Sequence, residues 1–534
     1  MTKYVYAPIC LLLAMIMSVS CSKGGKMKEL LNQIPASADF VAVGNVKTIV
    51  ESLGGSLEGQ KLTMPSNIME ALPADAAKEL DDLNKFLQKS GVDAEVCALI
   101  VDYEENKPVV VCGLDDAESF AKAIEGEGLK KESSEGDMTL YSKDDNYIAV
   151  NGSYAYIAGG VYGGNTQQYL KKIADEANDK SVGSTDYGDY MAEGNAGGIA
   201  FKWPKEVKDQ MSKMGLPSEI LSVYSGVICM RNELSENKWM ATIKMYDEDG
   251  DEVESSKFGD VSTTISANAL DLLSQNENVI LAFSLKGIDW DEVSKEMSAS
   301  GLPQEQRAAV DAIYSYLKNI DGSVAVGFGL TNGVESVNSM CAGVDALSQF
   351  SATIVVETKE GTGKDLVNGL KGMLTAMGVP VSETGSGFSV VLDPASATGG
   401  TIYVSMLGNT IAVANHPVKS GNGNALAKRA GLTDYAGAFC IGLSKGDQLT
   451  QDLGIDTDVT FLIASKPKSN ETEMSLEISG DSNTGVLAKL VKVILGISNK
   501  AGNIMPAYSQ DDLGELYGED MAYEDEIADT AVCY

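Results

Sequence analysis

The 534-residue sequence predicts an α+β fold from three observations. Short apolar runs have the period of strands, longer runs between them have the period of helices, and the same order of elements returns about 240 residues later. In the first half Phe40–Asn45, Val96–Asp102 and Pro108–Cys112 read as strands. Pro73–Ser90 places Leu80, Leu83, Phe86 and Leu87 on one face and is closed by Gly91, so it reads as a helix. Asp115–Glu125 predicts another helix and Tyr147–Gly159 further strands. A smaller unit then runs Gly197–Trp203, a helix from Pro204, Tyr224–Arg231 and Lys238–Met245.

The second half repeats this order. Val279–Leu285, a helix over Pro303–Ile320, Ser323–Leu330 and Ala352–Glu357 are followed by a helix over Lys364–Met377 and strands in Thr401–Ala414. Its smaller unit holds Ala438–Leu443, Val459–Ser465 and Glu473–Ser479. Three segments match in chain order: Asp39–Lys47 with Asn278–Lys286 at an offset of 239, Leu72–Ile100 with Leu302–Leu330 at 230, and Ala196-Gly197 with Ala436-Gly437 at 240. Lys205 and Lys445 share the last offset. Near-constant spacing predicts a tandem duplication of modules with antiparallel or mixed sheets backed by helices. The predicted boundaries are 36–192 and 193–260 for the larger and smaller modules of the first half, and 261–432 and 433–500 for those of the second.

Composition narrows the function. There are 41 basic residues against 76 acidic, for a net charge of −35, and 44% of the chain is apolar. A field this negative repels phosphate, which excludes nucleic acid as a partner. A single histidine removes His-rich zinc sites and most Ser/His hydrolase schemes, and no cofactor is implied.

The N-terminus carries an address. Lys3 precedes an apolar run, Val5–Met17, too short for a bilayer span of about 20 residues. Ser18-Val19-Ser20 then leads into Cys21, so residues 1–20 read as a signal peptide and Cys21 as the site of lipidation. Residues 21–35, with Lys23, Lys26 and Lys28, read as a flexible basic tether. At the far end, residues 501–534 form an acidic tail expected to be extended.

Six other cysteines lie beyond Cys21. Only Cys97 and Cys112 fall on two strands of one predicted hairpin, and they face each other only if Glu104-Glu105 form a two-residue turn. Buried, reduced thiols are the expectation.

Four motifs carry candidate chemistry, and each has a plainer structural reading. Asp289-Trp290-Asp291-Glu292 suggests an aromatic platform beside carboxylates, but Asp289 with Glu292 is a capping box, as are Thr48 with Glu51 and Asp115 with Glu118. Pro204 with Glu206 is a helix start. Asp247–Glu252 alternates carboxylates as a calcium loop would, yet Glu252 stands where the loop needs glycine. Glu360–Asp365 lies between strand and helix like a phosphate loop, but lacks the required glycine at Thr358 and hydroxyl at Asp365. His416 has no partner at ligand spacing and reads as a loop residue.

The Ser18-Val19-Ser20-Cys21 box, the Ile34-Pro35-Ala36 opening, the Ser284-Leu285-Lys286-Gly287 strand exit and its Ser444-Lys445-Gly446 echo together resemble a family of uncharacterised lipoproteins of Bacteroides and relatives. The resemblance implies anchoring in the outer membrane and brings no activity or functional residues with it. Lysines before the first acid, Glu29, favour the periplasmic face. The expectation is a lipid-anchored, non-enzymatic binding or accessory module for an envelope protein or glycan. The alternatives are a carboxylate-dependent glycan hydrolase and a structural spacer.

Overall fold

The computed structural model describes residues 25–504 except 71, 73–74, 104–106, 160–165, 214–225, 254–262, 292–294, 296–313, 315–316, 342–345, 393–399, 422 and 481–483. The signal peptide, Cys21 and residues 505–534 lie outside the described residues. So do Glu292 and most of the predicted helix Pro303–Ile320, whose last residue opens a strand.

The fold is α+β. The strands of the first arm are β1 (Phe40–Asn45), β2 (Ser56–Glu58), β3 (Lys61–Thr63), β4 (Val92–Asp102), β5 (Lys107–Leu114) and β6 (Lys130–Glu135). They continue with β7 (Met138–Lys143), β8 (Asn146–Asn151), β9 (Tyr154–Ala158), β10 (Gly197–Lys202), β11 (Val227–Leu234) and β12 (Lys238–Tyr246). The second arm has β13 (Val279–Ser284), β14 (Ile320–Leu330), β15 (Phe350–Thr358), β16 (Val381–Thr384) and β17 (Gly387–Val391). It ends with β18 (Thr401–Leu407), β19 (Thr410–Ala414), β20 (Gly437–Leu443), β21 (Val459–Ser465) and β22 (Thr472–Ile478).

Apart from the β2–β3 hairpin, these strands form one sheet of 20. Following the paired strands from edge to edge gives β6-β7-β8-β9-β5-β4-β1-β10-β11-β12, then β22-β21-β20-β13-β14-β15-β19-β18-β17-β16. Every pairing is antiparallel. The order in the second arm is that of the first read outward from the middle, with β13 in the place of β1 and β22 in the place of β12. The arms join where Lys238–Ile243 run against Thr472–Glu477. There the helix Val486–Ile504 seats Val486 and Leu487 against Ile49, Leu234 and Ile478, sealing the seam with a small core of its own.

In the first arm both faces are covered. Val41 and Val43 of β1 enter one core with Tyr169, Leu170 and Met191, while Ala42 enters the other with Leu83, Leu87 and Phe120. Alternation in a six-residue strand thus feeds two cores. The second arm differs. Ile280 and Ala282 of β13 are buried, but Leu281 is 45% exposed, as Ile354 of β15 is at 48%. One edge of the sheet, β6, is exposed along its whole length and carries two lysines and two glutamates, which discourages pairing with another chain.

Several local expectations change. Residues 25–35 are no tether: Gly25–Leu31 is a helix whose Met27 and Leu31, with Ile34 after it, are fully buried in the first core. Lys26 reaches Asp93 and Glu95, both at 2.8 Å, and Lys28 pairs with Asp189. Apolar burial of three side chains outweighs the flexibility that the lysine-rich composition suggested. At the other end the helix Val486–Ile504 runs through Ala501, where the tail was expected to start. Two caps move as well. Asn45, not Thr48, accepts the Thr48 N–H at 3.0 Å, and Asp116, not Asp115, accepts from Glu118 and Ser119.

Candidate functional site

The second arm holds a cavity of about 890 Å³ at one end of β13, β14, β15 and β19. Its floor is a cross-strand row. Thr410 pairs with Glu357 and Ser323 with Ser284, while the Ser323 N–H donates to Glu357 Oε2 at 2.7 Å and joins the two pairs. A side chain at position 322 would put its Cβ 2.5 Å from that same oxygen, so Gly322 leaves the space that Glu357 occupies.

The next row inward is small and apolar: Ala412, Val355, Ala325, Ala282 and Ala438 lie side by side. Small floor residues let the segment Ile265–Leu273 and the helix Ala425–Arg429 close down on the sheet as a dry core. The cavity opens where this core stops and the floor turns polar. Among the described residues its walls carry eight serines and threonines, no aromatic ring, and three carboxylates (Asp271, Asp321, Glu357) against one lysine, Lys286. Asp271 Oδ2 accepts the Gly421 N–H at 2.6 Å, which ties the wall to the loop after β19. Thr410 is 7% exposed, and its hydroxyl has no partner among the described residues.

At the opposite end of the same face lies a second polar cluster. Glu277, just before β13, accepts hydrogen bonds from Thr353 at 2.6 Å, Ser351 at 3.2 Å and the Ser274 N–H at 2.9 Å. His416 Nε2 stands 3.3 Å from Glu277 Oε1 and 3.1 Å from the Thr353 hydroxyl. The carboxylate occupies the gap over Gly327, where an added Cβ would come within 2.1 Å of Oε2. The hydrogen bond to Glu277 raises the His416 pKa against the opposing effect of burial. The cluster has the residue types of a hydrolytic triad but not its geometry. Both hydroxyls donate to the carboxylate, and the carboxylate and Thr353 meet the same ring nitrogen. A relay needs the base to use one nitrogen for the nucleophile and the other for the acid. The cluster therefore orders the ends of β13, β15 and β19.

Of the four motifs singled out in the sequence, only His416 joins either place; the other three stay apart from both. Asp289 accepts the Asp291 N–H at 3.1 Å, and the Trp290 and Tyr314 rings lie tilted at 51° with centroids 6.2 Å apart. In the Asp247–Glu252 turn, Asp247 Oδ1 is occupied by the N–H groups of Asp249 and Asp251. Among the described residues no group of three or more acidic, histidine or cysteine side chains is arranged to hold a metal. Glu360–Asp365 is a turn into the helix Thr362–Ala376, with Gly361 at φ +81. His416 lies in the loop after β19, as expected, but it is not partnerless: it meets a buried carboxylate.

Cys97 and Cys112 do face each other, in the register centred on Glu104-Glu105, and both are buried free thiols. The cavity residues escaped notice because each is ordinary alone. Ser284 and Lys286 belong to the strand-exit motif noted in the sequence, which was the one signal available.

No family model and no curated protein matches the chain. Among solved structures, crystal form IV of TP0453 is similar with a TM-score of 0.24 and 13% identity, over 40% of this chain and 79% of that one. Crystal form I gives 0.24 and 13%, over 41% and 78%. Likeness at this level carries no argument about fold or activity.

Proposed function

We propose that this chain is a lipid-anchored protein of the cell envelope that binds a small ligand, without transforming it, in the polar cavity of its second arm. The cavity is the observation that carries the reading. Its volume lies in the range of small-molecule sites, and its described walls combine hydroxyls and carboxylates with no nucleophile–base pair. The anchor rests on Ser18-Val19-Ser20-Cys21, and the periplasmic face of the outer membrane on the lysines that follow. We further read the two arms as a duplication, supported by the matched offsets and the repeated strand order. Related chains whose halves fail to align at these offsets would count against it.

Two measurements test the proposal. Labelling with a clickable palmitate analogue should mark the wild-type chain and not Cys21→Ala; equal labelling of both would overturn the anchor. A thermal-shift screen of envelope glycans, sugars and amines should give a shift that Thr410→Val removes. Turnover of a glycan that is lost in Glu357→Gln would instead favour the second reading, carboxylate-dependent hydrolysis, for which Asp271, Asp321 and Glu357 in one cavity speak.

A further inference from the structure

We propose that the ligand of this cavity is a hydroxylated organic cation, of which a sugar bearing a free amine is the simplest example; the inference rests on the cavity being a binding site. Charge comes first. Three carboxylates against one lysine leave the walls with an excess of two negative charges, in a chain of net charge −35. A concave site focuses such a field, so an anion is repelled and a cation concentrated. Shape comes second. The three carboxylates do not converge on one point as metal ligands would, so a bare metal ion cannot satisfy them together. A positive ligand has to be extended, and 890 Å³ leaves room for one.

Hydrogen bonding then sets the rest of the ligand. Eight serine and threonine residues line the walls, and each hydroxyl both donates and accepts, as the hydroxyls of a polyol do. No described wall residue carries an aromatic ring that could stack on a sugar face, so the recognition these residues offer is polar. The floor supplies the anchoring groups. Glu357 spends Oε2 on the Ser323 N–H, while its Oε1 has no partner among the described residues. Thr410 sits opposite it on β19, its hydroxyl unpaired although the residue is more than nine-tenths buried. Both groups line the cavity and are open to a ligand there, the carboxylate as acceptor and the hydroxyl as donor or acceptor. An ammonium held by Glu357 with a neighbouring hydroxyl on Thr410 answers both.

The test uses the full chain, purified in detergent, titrated calorimetrically with glucosamine, glucose and glucuronate, which share a ring and differ in charge. Glucosamine should bind saturably, glucose at least tenfold more weakly, and glucuronate not at all. Raising the salt should weaken glucosamine binding. Glu357→Gln and Thr410→Val should each weaken it at least tenfold while leaving the melting curve in place. Glucose binding as tightly as glucosamine, or glucuronate binding best, would overturn the cationic class. If those two variants abolished that binding, the cavity would still stand as the site. Failure of all three probes to bind would overturn the inference, and the screen described above then decides the cavity reading separately.

Discussion

His416, the one histidine of the chain, sits with Nε2 3.3 Å from Oε1 of Glu277, whose side chain is wholly excluded from solvent. The contact raises the folded-state pKa of the imidazole. A raised value stabilises the fold fully below the unfolded pKa of about 6.5 and loses that contribution as pH climbs through the folded value. His416→Gln should therefore cost on the order of 1 kcal/mol at pH 5.5 and distinctly less at pH 8.5, measured by urea unfolding. A cost that does not change over this range would refute the linkage.

Glu277 and Gly327 should behave as one unit. Gly327→Ala drives a Cβ into the carboxylate and should cost about 1–3 kcal/mol. Glu277→Ala should cost about as much for the hydroxyl left unpaired on Ser351, while Thr353 keeps His416 as a partner. In the double variant the steric clash is gone, so its cost should fall clearly below the sum of the two. Simple additivity in a denaturation cycle would show that the two do not interact.

Cys97 and Cys112 are opposed across β4 and β5, which sets their Cα atoms about 4.5–5.5 Å apart, within the range a disulfide spans. Burial pushes the Cys112 thiol up to about 12 and the Cys97 thiol up as well. Neither forms thiolate near neutrality, so both should resist maleimide at pH 7.5 for hours and react within minutes in guanidinium. Rapid labelling of the native protein at either position, read by peptide mass spectrometry, would contradict their burial.

The strands were largely readable and their coverings were not. Phe40–Asn45 and Val459–Ser465 have the bounds the sequence predicts, because a run of apolar residues between turn formers admits few alternatives. The edge hairpin beginning at Lys130 was missed, since a fully exposed strand buries nothing and shows no apolar alternation. The helices Thr166–Asp179 and Asp186–Glu193 went unassigned for another reason. Each has few large aliphatic residues (Leu170 and Ile173 in the first, Met191 in the second), and tyrosines and alanines complete the buried face. The candidate site was less legible still. Ser284, Ser323, Glu357 and Thr410 are spread over more than a hundred residues, and only strand register makes a row of them. The Glu277–His416 contact spans 139 positions and had no local signal at all.

The N-terminal helix should be part of the cooperative fold. Leu31→Ala should cost about 2–5 kcal/mol, because Leu31 is fully buried among first-arm residues. Lys26→Ala, which removes only half-exposed ion pairs to Asp93 and Glu95, should cost less than about 1 kcal/mol. Equal effects of the two, measured as shifts in the urea midpoint, would mean that the helix does not dock.

That docked helix also sets the length of the leash. Only Ser22, Lys23 and Gly24 separate Cys21 from the first helical residue, Gly25. Four residue steps at about 3.3–3.6 Å reach about 14 Å at full stretch. An acyl anchor at Cys21 would hold the first arm flush against the headgroups, with little freedom to swing outward. The second arm and its cavity would then be placed by the sheet they share with the first arm. A continuous 20-stranded sheet, not a flexible tether, would be what sets the position of the cavity relative to the membrane.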